Sequence, residues 1–295
     1  MERDDFKKHT TRRVVFRLDY LPLEEQLLER IRTKFITDFI KNGTFETYGE
    51  SYAKNYEINA PRFDSGNIED SRIVLEGKLK TTVKTYEYYT EIGGIVSKKL
   101  TLCRSFLGLE INQDTEYLKF EQYEENILDA IKIIREIAQG TLVPTRCGLR
   151  KLNDVKLTTD VKLGDYFNET TLGITIPSIN HISTQRCSHR YALKHSDDMD
   201  INYILSMLPG QFENRLAVRV SFDIDVYTNN RNHLENIVNI ENLEGNIISN
   251  MELEKFNKII FDFFLATLNP TFASKLTSSD KISDEAILDG VIENE

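Results

Sequence analysis

The stretch Leu216-Ala217-Val218-Arg219-Val220-Ser221-Phe222-Asp223-Ile224-Asp225-Val226-Tyr227 decides the fold class. Leu216, Val218, Val220, Phe222, Ile224 and Val226 alternate with Ala217, Arg219, Ser221, Asp223, Asp225 and Tyr227. A period of two places the first set on one side of a strand and the second on the other, giving one buried and one polar face. Upstream, Arg186–Lys194 and Ile201–Met207 are also strand-like, and Pro209-Gly210 marks a turn before the long strand. Downstream, a helix is expected from Ser249, whose spacing to Glu252 fits a capping box, with Leu253, Phe256, Ile259, Ile260, Phe263, Phe264 and Leu268 on one side. Asn269-Pro270 stops it. Strands followed by a helix that can cover one face is the order of α+β layers, not of a doubly wound parallel sheet.

The first half runs the same way in outline. Val14, Phe16, Leu18 and Tyr20 alternate as a strand, Pro22 suits a helix start, and Leu23–Ile40 repeats apolar residues at helical spacing up to Asn42-Gly43. Strands are expected near Thr44–Ile58, Arg72–Lys80, Val83–Ile92 and Val96–Ile111, with Gly93-Gly94 as a hairpin turn. A second helix carries Phe120, Tyr123, Ile127, Ile131, Ile134 and Ala138 toward Gly140, and Thr145–Val155 reads as a strand. The expected fold is α+β with antiparallel sheets, each half strands followed by a covering helix. The expected division is an N-terminal domain over 1–156, connecting loops over 157–179, a C-terminal domain over 180–276 and an acidic tail over 277–295.

Charge narrows the function. Across 295 residues, 37 Lys and Arg stand against 47 Asp and Glu, a net charge of −10, so nucleic acid is a less favoured partner. Cys103, Cys147 and Cys187 are too few and too far apart for a disulfide framework or a zinc knuckle. The N-terminus lacks the apolar run of a signal peptide, and Ile259–Leu268 is too short to span a bilayer. A cytoplasmic protein with no membrane contact is expected. The dinucleotide, P-loop, serine-hydrolase and zinc-protease motifs are all absent, and no cofactor is expected.

Two candidate sites remain. Cys187 and His189 would share one face of a strand and could reach one metal; Tyr191 and Leu193 on that face read equally as a half-buried sheet surface. His189, His195, Asp223 and Asp225 together would make the donor set of a metal-dependent phosphodiester hydrolase. Arg219 and Asp223 read alternatively as an ion pair on a solvated face. Basic residues beside Tyr86, Tyr88 and Tyr89 would suit an RNA-binding module. Ser283–Ile292 is expected to form a short acidic amphipathic helix that offers Ile287, Leu288, Val291 and Ile292 to a partner.

Val14–Tyr20, Cys147-Gly148-Leu149-Arg150-Lys151-Leu152-Asn153, Phe222–Val226 and the closing helix through Phe263 and Asn269-Pro270 resemble a sporadically distributed prokaryotic family of α+β proteins with no activity attached to it. The resemblance spans residues 13–276, and Lys151-Leu152 stand where its pattern has an aromatic and an aliphatic residue. It implies a gene carried in mobile, host-defence or toxin–antitoxin clusters. Its motif positions, Gly148, Arg150 and Asn153, suit structural roles: a close backbone approach at the glycine and bonds across strands from the other two. The leading expectation is therefore a non-enzymatic protein-binding component, an immunity, antitoxin or accessory protein, whose partner is another protein, basic and encoded nearby.

Overall fold

The computed structural model describes residues 5–58, 62–63, 73–74, 77–168, 187–195, 198–239, 250–278 and 285–293. A short β1 (Lys8–His9) leads into β2 (Thr11–Tyr20), then α1 (Glu25–Phe35), which runs on as a π-helical turn at Ile36–Ile40. Strands β3 (Thr47–Ile58), β4 (Arg62–Phe63), β5 (Ile73–Val74), β6 (Gly77–Ile92), β7 (Ile95–Cys103) and β8 (Phe106–Asn112) follow, then α2 (Phe120–Ala138) and β9 (Pro144–Thr158). The second half adds β10 (Cys187–Lys194), β11 (Asp200–Phe212), β12 (Arg215–Thr228), α3 (Arg231–Val238), α4 (Met251–Thr267), α5 (Pro270–Thr277), β13 (Ile287–Asp289) and β14 (Ile292–Glu293).

The protein is α+β. Its main sheet has ten strands in the order β10-β11-β12-β9-β2-β8-β7-β6-β3, with β13 also on β9, and every neighbouring pair is antiparallel. β2 and β9 lie side by side at the centre, with Phe16 opposite Leu149. Each then has the last strand of its own meander on its far side, β8 beside β2 and β12 beside β9. In the first half α1 comes directly after β2, so a helix interrupts the run of strands there.

Alternation sets which face is buried. Val14, Phe16, Leu18 and Tyr20 of β2 point the same way as Val220, Phe222, Ile224 and Val226 of β12, and all are almost fully buried. The helices cover this face. Phe35 of α1 meets Tyr88 at 5.5 Å, and Phe222 lies between Phe264 of α4 at 6.3 Å and Phe167 at 5.0 Å. Each such side chain contributes about 1.5–3 kcal/mol of transfer free energy, which drives the sheet onto its helices. No helix among the described residues is long and apolar enough to cross a membrane.

Several expected boundaries move. Gly93 and Gly94 do form the β6–β7 turn, at φ 60° and 78°. The expected strand Val96–Ile111 breaks at Arg104-Ser105 into two antiparallel strands, fixed by Tyr20 and Leu23 amides donating to the Ser105 and Arg104 carbonyls. Pro209-Gly210 is not a turn but lies inside β11 opposite Val218 and Ala217; among the described residues β10 ends opposite Met207, so Pro209 has a strand on one side only, where its missing N–H costs nothing. The turn is at Glu213-Asn214, at φ 47° and 65°. The cap of α4 is Asn250, whose side chain accepts from the amides of Glu252 (3.0 Å) and Leu253 (3.3 Å); the expected cap, Ser249, lies outside the described residues. Asn269-Pro270 stops α4 and also starts α5, with Asn269 as cap and Pro270 in the first turn.

The C-terminal segment forms two short strands where a helix was expected. Ile287 lies opposite Leu157 and Asp289 opposite Lys156, on the stretch of β9 that β2 leaves unpaired; Ile292 lies opposite His9. Gly290 between them, at φ +110°, ends any helix, and the β-branched residues around it favour extended backbone.

Candidate binding face

The face opposite the helices carries the polar half of each alternation. On β9 this is Arg146, Gly148, Arg150, Leu152, Asp154 and Lys156, and on β12 Arg219, Ser221, Asp223, Asp225 and Tyr227. Among the described residues, the helices pack on the other side. Ion pairs knit the strands across this face. Arg150 holds Asp223 through Nε (2.6 Å) and Nη2, a two-point grip that raises the guanidinium's affinity for its proton. Arg146 reaches Asp225 at 3.2 Å and Asp19 at 3.9 Å, while Arg219 holds Asp154 at 2.7 Å. Burial pushes the Asp225 and Asp154 carboxyls above the usual carboxylate range, and Arg146 and Arg219 pull them back.

Aromatic rings lie under some of these cations. Arg17 sits 4.4 Å above Phe106, and Arg146 sits 4.4 Å above Tyr227. Gly148 makes the second pair fit: a Cβ there would lie 2.9 Å from the Tyr227 Cβ and 3.1 Å from the Val226 carbonyl. Beside this patch a polar cleft of about 490 Å³ opens between β7, β8, β2, β9 and β13. Arg12, Arg13, Lys99, Lys156 and Arg219 line it against Glu110, Asp114, Asp154 and Asp289. Arg12 and Lys156 both hold Asp289, at 2.8 and 2.7 Å, so the C-terminal segment is tied into the cleft wall.

The residues singled out from the sequence separate into groups. Arg150 bonds across to β12, and Asn153 accepts from the hydroxyls of Thr11 (2.9 Å) and Thr10 (3.3 Å) across to β2, on the helix side. His189 lies opposite Leu205, which lies opposite Phe222, so its ring faces the helix side. Asp223 and Asp225 are opposite Ile204 and Asn202 and face the other side, with β11 between them and β10. The sheet therefore does not bring His189 together with the two carboxylates, and His195 lies beyond the end of β10, its amide donating to the Met199 carbonyl. No group of three or more His, Cys, Asp or Glu that could hold a metal occurs among the described residues. The side chains of Cys187 and Ile292 lie outside the described ones. Ile287 and Val291 are partly buried and pack against the protein's own core. The aromatic and arginine pairs were missed in the sequence because each joins two strands whose pairing is not local.

No family model matches the chain, and no curated protein matches it. Two solved structures show a distant likeness over most of the length. The RNA triphosphatase Pct1 of S. pombe is 6% identical, with 88% of this chain and 85% of that chain covered and a TM-score of 0.18. DynU16, from the dynemicin biosynthetic locus, is 8% identical, with 90% and 99% covered and a TM-score of 0.16. At these values neither an architecture nor an activity carries over.

Proposed function

We propose that this chain is a non-enzymatic binding protein that holds another protein against the sheet face that no helix covers among the described residues. The observation behind the reading is the mixed sign of that face. Five cations and four carboxylates line the cleft, and Arg17, Arg146 and Arg150 alternate with Asp19, Asp225 and Asp223 beside it. A polyphosphate would meet a carboxylate next to almost every arginine, whereas a protein surface of alternating charge can match both signs. Arginine, tyrosine and phenylalanine are also the side chains that anchor protein interfaces. Size fits: nine strands at ~4.8 Å span about 40 Å, and six or seven residues along each give roughly 800 Å², one side of a standard interface.

The family resemblance adds a setting, an immunity, antitoxin or accessory component of a prokaryotic defence or toxin–antitoxin system. Buried free thiols at Cys103 and Cys147 suit a reducing cytoplasm. The proposal takes the two halves of the chain, each strands followed by a covering helix, as two arms of one platform. The test is purification of the tagged chain from its host, beside a variant carrying Arg146→Glu and Arg150→Glu. A single partner near one-to-one with the parent, lost with the variant while circular dichroism shows the variant still folded at the assay temperature, supports the reading. Retention of the partner by the variant overturns it, and so does salt-sensitive binding of single-stranded RNA by the parent with no protein partner.

A further inference from the structure

The inward row of β9 departs from the apolar pattern at two adjacent places. Cys147, Leu149, Val155 and Leu157 are buried, but Lys151 and Asn153 fill the inward positions between them. A lysine in the middle of a strand's core face breaks the local rule, as sites of function do. Both residues line a cavity of about 410 Å³ between the start of β2, the first turn of α2 and the middle of α4, within the range of small-ligand sites. Much of the wall is aromatic. Phe6 meets Phe261 edge to face at 5.3 Å, and Phe120 meets Tyr123 likewise at 5.3 Å.

Charge and hydrogen bonding define what would fit. Lys7, Lys8, Lys119 and Lys151 line the cavity, and Glu121 is the one carboxylate among its described lining residues, a local positive excess on a chain of net charge −10; Lys8 Nζ donates to the Ser278 carbonyl and Lys151 Nζ to Asn257 Oδ1 at 2.6 Å, so both ammonium groups are held by neutral oxygens. His9 is 9% exposed, lines the same cavity and stacks on Tyr117 at 4.1 Å. Its Nδ1 is 3.1 Å from the Thr11 carbonyl, which can only accept, so Nδ1 carries the hydrogen and Nε2 presents a lone pair. Nε2 is buried and has no hydrogen-bond partner among the described residues. Burial lowers the His9 pKa to about 4, so the ring is neutral at pH 7 and its Nε2 is an acceptor awaiting a donor.

We propose that this cavity binds a hydroxylated apolar carboxylic acid, its chain among the phenylalanines, its carboxylate beside the lysines and its hydroxyl donating to His9 Nε2. The site lies on the opposite side of the sheet from the protein-binding face, so either can fail without the other. Calorimetric titration of the full chain with 3-hydroxydecanoate, decanoate and 1-decanol tests it. Both acids are expected to bind one per chain, at least about tenfold tighter than 1-decanol, with the hydroxy acid the tighter of the two. Lys151→Met should weaken both acids about tenfold and leave 1-decanol unchanged. His9→Phe keeps the stacking and should abolish the preference for the hydroxyl. Phe261→Glu, which places a carboxylate at the partly exposed edge of the cavity, should repel both acids and serves as the control if Lys151→Met melts early. Equal affinity for 1-decanol and the acids, no saturable binding by the folded parent, or a hydroxyl preference that survives His9→Phe would each overturn the proposal.

Discussion

Arg150 and Asp223 are joined by two parallel hydrogen bonds across β9 and β12, although Arg150 lies opposite Asp225 in the strand register. The same diagonal recurs in the other half of the sheet, where Arg13 lies opposite Asn112 and pairs with Glu110. In both, an arginine on a central strand reaches a carboxylate two residues along its neighbour. Asp223 is 13% exposed at its side chain and Arg150 50%, so truncating the arginine strands a mostly buried carboxylate. Arg150→Ala should cost about 1–2 kcal/mol, with a coupling to Asp223→Ala of about 0.5–1 kcal/mol after solvent screening. Urea unfolding of the two single variants and the double variant reads both. Additive effects would show that the bidentate geometry contributes nothing to stability.

His9 makes stability depend on pH in a definite direction. Its folded pKa is lowered to about 4, chiefly by burial, from an ordinary value of 6.5, so the unfolded chain binds the extra proton first. The contribution is fully present above pH 6.5 and is lost as pH falls toward 4; it is on the order of 3 kcal/mol at most. Asp289 and Glu252, held below their ordinary values, lose stability only in more acid solution, and the raised Asp154 and Asp225 act with the opposite sign. Between pH 6.5 and 5 the steeper loss should therefore disappear in His9→Phe. Urea midpoints that fall in parallel for parent and variant would refute this.

How much of this was legible in the sequence depends on the range of the interaction. The inward rows of β2 and β12 can be read from alternation alone, because the period of a strand is a local property. Whether His189 and Asp223 share a face cannot, since a one-residue change of register reverses a face and the register of β10, β11 and β12 depends on where their turns fall. Pro209-Gly210 is the louder turn signal, yet the turn sits at Glu213-Asn214, where non-glycine residues adopt positive φ. Lys151 and Asn153 break the alternation of β9, which reads from the sequence as a plain strand over Thr145–Val155 with a motif position at Asn153. Their meaning required α2 and α4 to arrive over them, and the contact with α4 spans 106 residues of chain, from Lys151 to Asn257 at 2.6 Å.

The thiols make a simple check on the buried layer. Cys147 is fully buried on the inward row of β9, and burial pushes its pKa far above the ordinary thiol value, so little thiolate exists near neutral pH. Cys103 is also buried. Iodoacetamide applied to the folded protein, followed by peptide mass spectrometry, should leave both unmodified, and both should label fully in 6 M guanidinium. Rapid labelling of Cys147 in the folded state would mean that the centre of the sheet opens.

Gly290 fixes how the C-terminal segment is held. At φ +110° its backbone is in a region that L residues rarely adopt, and an added Cβ would collide with the Asp154 carbonyl and lie 2.6 Å from the Val155 Cα. Neither atom can move without disturbing the β9–β12 ladder, in which Asp154 is opposite Ser221. Gly290→Ala should therefore release the segment instead of straining it in place. The release would also remove Asp289 from Arg12 and Lys156, leaving two cations at the cleft without that partner. The expected cost is about 1–3 kcal/mol, with faster proteolytic trimming after residue 278 and little change in the helix content. An Asp289→Asn variant separates the two contributions, since it discharges the ion pairs while keeping the glycine and should cost about 0.5–1 kcal/mol. If Gly290→Ala melts and is trimmed like the parent, the segment is not held by this contact.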